Sequence, residues 1–236
     1  MTVAAVILHA RVEGALADAA GRSAARRVVE SAWAGGATPI VVVSYDSATG
    51  ELAASLAGSP AVLAEPAPVE VGPVGQMLRG IAVAAATVTE TEAVLIWPGR
   101  LTWVDAETVT SLIEAFGSRR DDLLRPRYEG QAGWPVLVPV AAVPAMEAID
   151  RSLMPDAVIE ALARVAPATW TVDTGDPGVI HDIAEHLDSL PVYQGPPEPV
   201  AGRAPEWGAP AADMADDSPL SGPALAPYSQ AAQEGD

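Results

Sequence analysis

Short runs of Val, Ile and Leu alternate along the chain with Ala-rich stretches whose apolar side chains recur at helical spacing. Brief, continuous apolar runs mark strands buried on both faces, and a period of about 3.6 marks amphipathic helices. On that pattern, strands are expected at Ala4–Leu8, Pro39–Ser44, Ala61–Ala64, Ala93–Trp97, Leu124–Tyr128, Pro135–Pro139 and Thr169–Asp173. Helices are expected at Ala17–Ala34, Gly50–Ala57, Val74–Thr87, Asp105–Gly117, Ala141–Ile149 and Pro155–Val165. Local signals support the boundaries. Asp105 precedes Ala106-Glu107-Thr108 as an N-cap with acidic charge in the first turn, Gly117 stops that helix, and Gly35-Gly36 stops the first long one. This alternation predicts an α/β fold with a mixed, mostly parallel sheet. Right-handed connections then place any ligand at the carboxyl ends of the strands, so the residues just after each strand matter most.

From about Leu190 the pattern ends. Pro191, Pro196, Pro197, Pro199, Pro205, Pro210, Pro219, Pro223 and Pro227 are interleaved with Gly, Ala, Asp and Glu. Such a segment buries too little apolar surface to offset its ordering entropy. The expected division is a domain over residues 1–199 and a disordered, acidic, Pro/Ala-rich tail over 200–236, with Leu190 to Pro199 packed on the domain.

Composition narrows the function classes. Half of the 236 residues are apolar and the mean hydropathy is +0.22, enough for a sizeable core built largely from small aliphatic side chains, since there is a single Phe. The absence of Cys removes disulfides, thiolate metal sites and cysteine nucleophiles. The net charge is −18 and all 13 basic residues are Arg, which argues against nucleic acid as a partner because counterion release needs a basic face. The first residues lack a basic n-region and meet Arg11 and Glu13 early, and no apolar run reaches the roughly 20 residues of a membrane span. No membrane association and a cytoplasmic location are the expectation.

Candidate chemistry clusters at strand exits. After the first strand, His9-Ala10-Arg11-Val12-Glu13-Gly14 stands where a phosphate-binding loop would lie. Arg11 could hold a phosphate beside Gly14, or be an ordinary solvated arginine. After the fourth strand, Trp97-Pro98-Gly99-Arg100 offers no carboxylate for Mg²⁺, and capping accounts for the nearby Asp105 and Glu107. The stretch Arg125 to Val136 reads as a hairpin. Arg125, Arg127 and Trp134 could bind a flat anionic ligand, or be edge-strand charges flanking a packed Trp. Finally Asp173-Thr174-Gly175-Asp176-Pro177-Gly178 reads as a turn followed by a short strand. Asp182, with Asp173 or Asp176, could hold a metal and His181 could be a ligand or base; Asp-Pro-Gly is also a good turn, and His186 reads as a solvated helix residue.

Together these segments resemble the MobA-like, or MocA-like, nucleotidyltransferase family over roughly Val3 to Pro199. The opening βαβ unit (Val6-Ile7-Leu8, Gly21-Arg22, Gly35-Gly36-Ala37, Ile40 to Val43), the Ala93–Phe116 strand and helix, the Arg125–Leu137 stretch and Gly178 to Ile183 carry the likeness. The resemblance implies a three-layer, Rossmann-like fold of GT-A type. It also implies nucleotidyl transfer from CTP or GTP to a molybdopterin-like phosphate with Mg²⁺, nucleotide or pterin-type ligands, and a molybdenum hydroxylase as assembly partner. By that pattern Arg11, Gly14, Arg22 and Arg79 would contact nucleotide phosphates, and Asp182 would ligate metal. The departures fall on functional positions: with no Lys, the family's phosphate-binding Lys has no counterpart, its strand-end Asp is lost within Trp97–Arg100, its Gly-His-Pro His is Trp134, and Ala184 stands at the second Asp of its closing motif. No residue is assigned as catalytic. The expectation is a degenerate member whose standard activity is lost or altered, or a non-catalytic scaffold whose Trp97, Trp103 and Trp134 fill or cover the old cleft.

Overall fold

A computed structural model describes residues 1–45 and 50–195. The tail expected over 200–236 lies outside the described residues, as do 196–199. Among the described residues there are eight strands: β1 (Thr2–His9), β2 (Ile40–Ser44), β3 (Ala61–Ala64), β4 (Thr91–Pro98), β5 (Leu123–Tyr128), β6 (Gln131–Ala132), β7 (Val136–Pro139) and β8 (Thr169–Asp173). They form one sheet in the order β3-β2-β1-β4-β7-β5-β6, with β8 beside β5. The pairs β1–β2, β1–β4, β2–β3 and β5–β8 are parallel, and β7 runs antiparallel to β4 and β5. The sheet is therefore mixed and mostly parallel.

Among the described residues seven α-helices accompany it: α1 (Val12–Leu16), α2 (Ala24–Ala34), α3 (Gly50–Leu56), α4 (Gly72–Thr87), α5 (Ala106–Ser118), α6 (Val143–Glu147) and α7 (Pro155–Ala163). The helix α2 packs against α5 with α1 and α3 beside it, and α4 packs against α6 and α7. All five residues of β2 are buried, as are Val3 to Ile7 of β1 and Ala93 to Pro98 of β4. Burial on both faces explains why these strands read as unbroken apolar runs rather than alternating ones.

Two expectations need correction. The helix expected over Ala17–Ala34 is broken: the Asp18 carboxylate accepts the Gly21 N–H at 3.1 Å, Ala20 and Gly21 turn to positive φ, and α2 starts only after Ser23, whose hydroxyl caps the Arg26 N–H. The strand expected after Asp176 is instead a short 3-10 turn, Pro177–Val179, because the Asp176 side chain caps the Gly178 N–H and proline occupies its first position. The hairpin expected over Arg125 to Val136 forms, with β7 antiparallel to β5 and the unexpected short strand β6 paired to β5 between them; its turn at Glu129-Gly130 has positive φ at both residues. Beyond Leu190, the Gln194 N–H bonds the Gly175 carbonyl at 2.9 Å, which holds the described end of the chain on the domain.

Candidate active site

The register of the parallel strands fixes where the chain exits the sheet. Leu8 lies opposite Val43 and Pro98, and His9 opposite Ser44, so the loops after β1, β2 and β4 open side by side at the carboxyl edge. The Tyr45 N–H donates to the His9 carbonyl at 2.9 Å and the Gly99 N–H to the Leu8 carbonyl at 2.8 Å. Between these loops, the start of α4 and the start of α7 is a cavity of about 710 Å³. Leu8, Val43, Pro73, Pro98, Met154 and Ile183 supply its apolar wall; His9, Arg11, Glu13, Tyr45, Gln76, Arg100 and Asp156 supply its polar groups.

His9 forms part of this lining with its ring laid on Gly99, where an added Cβ would fall 2.1 Å from the imidazole Cε1. Its Nε2 is buried without a hydrogen-bond partner among the described residues. Burial drives its pKa down to about 4, so the imidazole is neutral at pH 7. Gln76, by contrast, is spent on structure: its amide both donates to and accepts from the Ala67 backbone at 2.8 and 2.9 Å.

At the β4 exit, Arg100 stands between two carboxylates. Its Nη1 lies 3.7 Å from Asp182 Oδ2 and its Nη2 lies 3.8 Å from Asp156 Oδ2. The other oxygen of each acid is engaged as well. Asp182 Oδ1 accepts the Ala184 N–H at 2.7 Å, and Asp156 Oδ1 accepts the Trp134 indole N–H at 3.0 Å. Mg²⁺ needs several hard oxygen ligands converging on one point. Here the Arg100 guanidinium lies within 4 Å of both carboxylates, and among the described residues no three or more His, Cys, Asp or Glu side chains are grouped to hold a metal ion. The residues present do not fit Mg²⁺.

The three tryptophans leave the cavity open. Trp97 is fully buried and donates to the Leu101 carbonyl at 2.9 Å. Trp103 donates to the carbonyls of Asp182 and Glu185 at 3.2 and 3.0 Å, with Arg27 stacked 4.9 Å over its ring. Trp134 is buried against the segment after β8, where its backbone N–H meets the Val179 carbonyl at 2.9 Å. None of the three lines the cavity, so the expectation that they fill or cover it is corrected; Trp103 and Trp134 instead pin the closing segment.

Of the residues expected at a ligand site, Arg11 and Gly14 line the cavity, and Asp182 reaches it through Arg100. The others stand elsewhere. Arg22 borders a separate depression of about 400 Å³ with Ser23, Arg26 and Ser55, where it pairs with Glu30. Arg79 donates to the Glu65 carbonyl at 3.0 Å on the exposed side of α4. Arg125 is half-buried with its Nε 3.4 Å from the Gly133 carbonyl, and burial lowers its pKa. Arg127 is held by Asp173 across the β5–β8 register, its Nε 2.6 Å from Oδ1, and among the described residues Asp173 is not grouped with Asp182 in a cluster of three or more possible metal ligands. His181 pairs with Glu185 at 2.8 Å. Asp176 is buried and structural, accepting from the Asp105 N–H (2.8 Å), the Thr108 hydroxyl (2.7 Å) and the Gly178 N–H (2.8 Å). Burial nonetheless pushes its pKa above the ordinary carboxylate range. The residues that sequence reasoning missed are His9, Arg100 and Asp156. Each was visible only as the neighbour of a strand or helix end, and the pairing of Asp156 with Arg100 joins positions 56 residues apart.

Comparison with known proteins bears on this site. No curated protein matches the chain. A nucleotidyl transferase from Methanothermobacter thermautotroptrophicus superposes with a TM-score of 0.61 at 16% identity, covering 79% of this chain and 94% of that one. The 2-C-methyl-D-erythritol 4-phosphate cytidylyltransferase from Thermus thermophilus gives 0.59 at 17%, covering 80% and 95%. A Mycobacterium tuberculosis protein, solved as a complex with manganese, gives 0.55 at 17%, covering 77% and 94%. At these identities the likeness establishes the fold. The model for the MobA-like NTP transferase domain matches residues 12–165. With most of its length matched and the sheet order and carboxyl-edge cavity in place, the chain belongs to the MobA-like NTP transferase family.

Proposed function

We propose that this chain is a family member that has kept the ligand cavity and given up the standard metal-dependent transfer from CTP or GTP, acting instead by binding a small molecule. The observation that carries this reading is Arg100. It stands at the β4 exit, where the family resemblance places the metal carboxylate, and it occupies both Asp156 and Asp182. Phosphoryl and nucleotidyl transfer depend almost wholly on positioning and on neutralising phosphate charge. Loss of the metal ligand and of the phosphate Lys together raises the barrier by several kcal/mol, or about 1.4 kcal/mol per factor of ten in rate. Arg11 restores one positive charge but not a metal's bridging geometry.

The test is isothermal titration of the chain with CTP, GTP and ATP, each with Mg²⁺, alongside an assay for pyrophosphate release. The expected outcome is no saturable heat at millimolar nucleotide and no pyrophosphate. Saturable heat with turnover would overturn the reading. A pterin phosphate as acceptor and a molybdenum hydroxylase as partner follow from family resemblance alone, and including a pterin phosphate in the titration covers the first.

A further inference from the structure

The cavity's lining is specific enough to say what kind of molecule it would take. We propose that it binds a small molecule with an apolar body and a single anionic group seated at Arg11, without a divalent cation. This deepens the small-molecule reading above and rests on it.

The volume, about 710 Å³, is that of a site for a drug-sized or cofactor-sized ligand. Its wall is mainly aliphatic and proline surface, and such a wall gains most by covering apolar area. The charges are the discriminating feature. Arg11 and Arg100 face Glu13, Asp156 and Asp182, so carboxylates outnumber cations in and around the cavity, within a chain of net charge −18. A triphosphate would bring several negative charges into that field, with neither a metal nor a lysine to offset them. Arg100 is already committed to two carboxylates. Arg11 makes no ion pair among the described residues and lies exposed at the cavity wall, so it is available for one anion. His9 adds a neutral hydrogen-bonding ring rather than a third cation. The combination selects an apolar body with one acidic group, and Arg100 holds the place a divalent cation would need.

The probe is 8-anilinonaphthalene-1-sulfonate, an apolar aromatic body with one sulfonate, titrated into the full chain and followed by its fluorescence. The expected result is saturable binding at one site, equal with excess chelator or with Mg²⁺. Ala10→Trp places an indole at an exposed lining position and should weaken binding at least tenfold. Met154→Asp, at a side chain 62% exposed, should weaken it in the same direction by adding a carboxylate. Arg11→Ala should cost roughly tenfold, the size of one charge-assisted contact. Arg22→Ala, in the separate depression, should leave affinity unchanged. Absence of saturable binding, indifference to both Ala10→Trp and Met154→Asp in folded protein, or a requirement for Mg²⁺ would overturn the ligand class. Displacement of the probe by Mg²⁺–CTP with pyrophosphate release would instead overturn the loss of nucleotidyl transfer, so the two failures are distinguishable.

Discussion

The two segments that border the carboxyl edge are built on opposite principles. The closing segment from Thr174 to Glu185 is densely bonded apart from the buried Thr174 hydroxyl: buried Asp176 accepts three bonds, the Trp103 indole donates to two of its carbonyls, and Gly178 lies so close to the Trp103 carbonyl that an added Cβ would fall 2.2 Å from it. The loop after β1 is the reverse. His9 is buried with Nε2 unpartnered, and Arg11 makes no ion pair among the described residues. Buried side-chain atoms without a hydrogen-bond partner among the described residues also occur at Ser44, Thr102, Tyr128 and Thr174, but of these and His9 only His9 lines the cavity, next to the exposed Arg11. One segment is tied down to shape the cavity and the other is left open to use it.

The largest way to break that contrast is Asp176→Ala, which strips a partner from the buried Gly178 N–H, the part-buried Asp105 N–H and the Thr108 hydroxyl. Urea denaturation should show a loss of about 4 kcal/mol. Next comes pH. The folded-state pKa of His9, about 4, lies below its ordinary value of about 6.5, so the unfolded chain binds the extra proton between those limits. This contribution to stability is complete above about pH 6.5 and is lost as pH falls towards 4, amounting to about 3 kcal/mol at the lower limit. His9→Phe should flatten that portion of the stability–pH curve. A smaller effect, about 2 kcal/mol, is expected for Gly99→Ala, because the new methyl meets the His9 ring at 2.1 Å and pushes it off its seat. Thermal melts of Gly99→Ala and of the double variant Gly99→Ala/His9→Ala would check it, the second change relieving the clash. Smallest is Arg11→Ala, which should change stability by less than about 0.5 kcal/mol while weakening ligand binding; a large loss of stability would place Arg11 in the scaffold instead.

The strands β1, β2 and β4 were legible in the sequence because burial on both faces leaves unbroken apolar runs; β3 and β8 have the expected limits, the other expected strands differ by a residue or two, and the two-residue β6 was not expected. The break before α2 was not, because Ala17 to Ala34 has no proline and the interruption comes from one side-chain bond, Asp18 to Gly21, together with the Ser23 cap. At the site, Arg11 and Gly14 were found by their place after β1. Arg22 and Arg79 came from the family pattern and Arg125 and Arg127 from their residue type beside Trp134, and the fold sends each to a different partner: Glu30, the Glu65 carbonyl, the Gly133 carbonyl and Asp173. The loss of the strand-end carboxylate was visible in Trp97-Pro98-Gly99-Arg100. What stands in its place was not, because the Arg100–Asp156–Asp182 cluster exists only once β4, α7 and the closing segment meet.

Electron paramagnetic resonance of Mn²⁺ with CTP, recorded with and without the chain, tests the claim about Arg100 most directly. With a guanidinium already holding Asp156 and Asp182, adding the protein is predicted to leave the manganese–nucleotide spectrum unchanged. An immobilised, broadened signal that saturates at one ion per chain and vanishes in Asp182→Asn would contradict it.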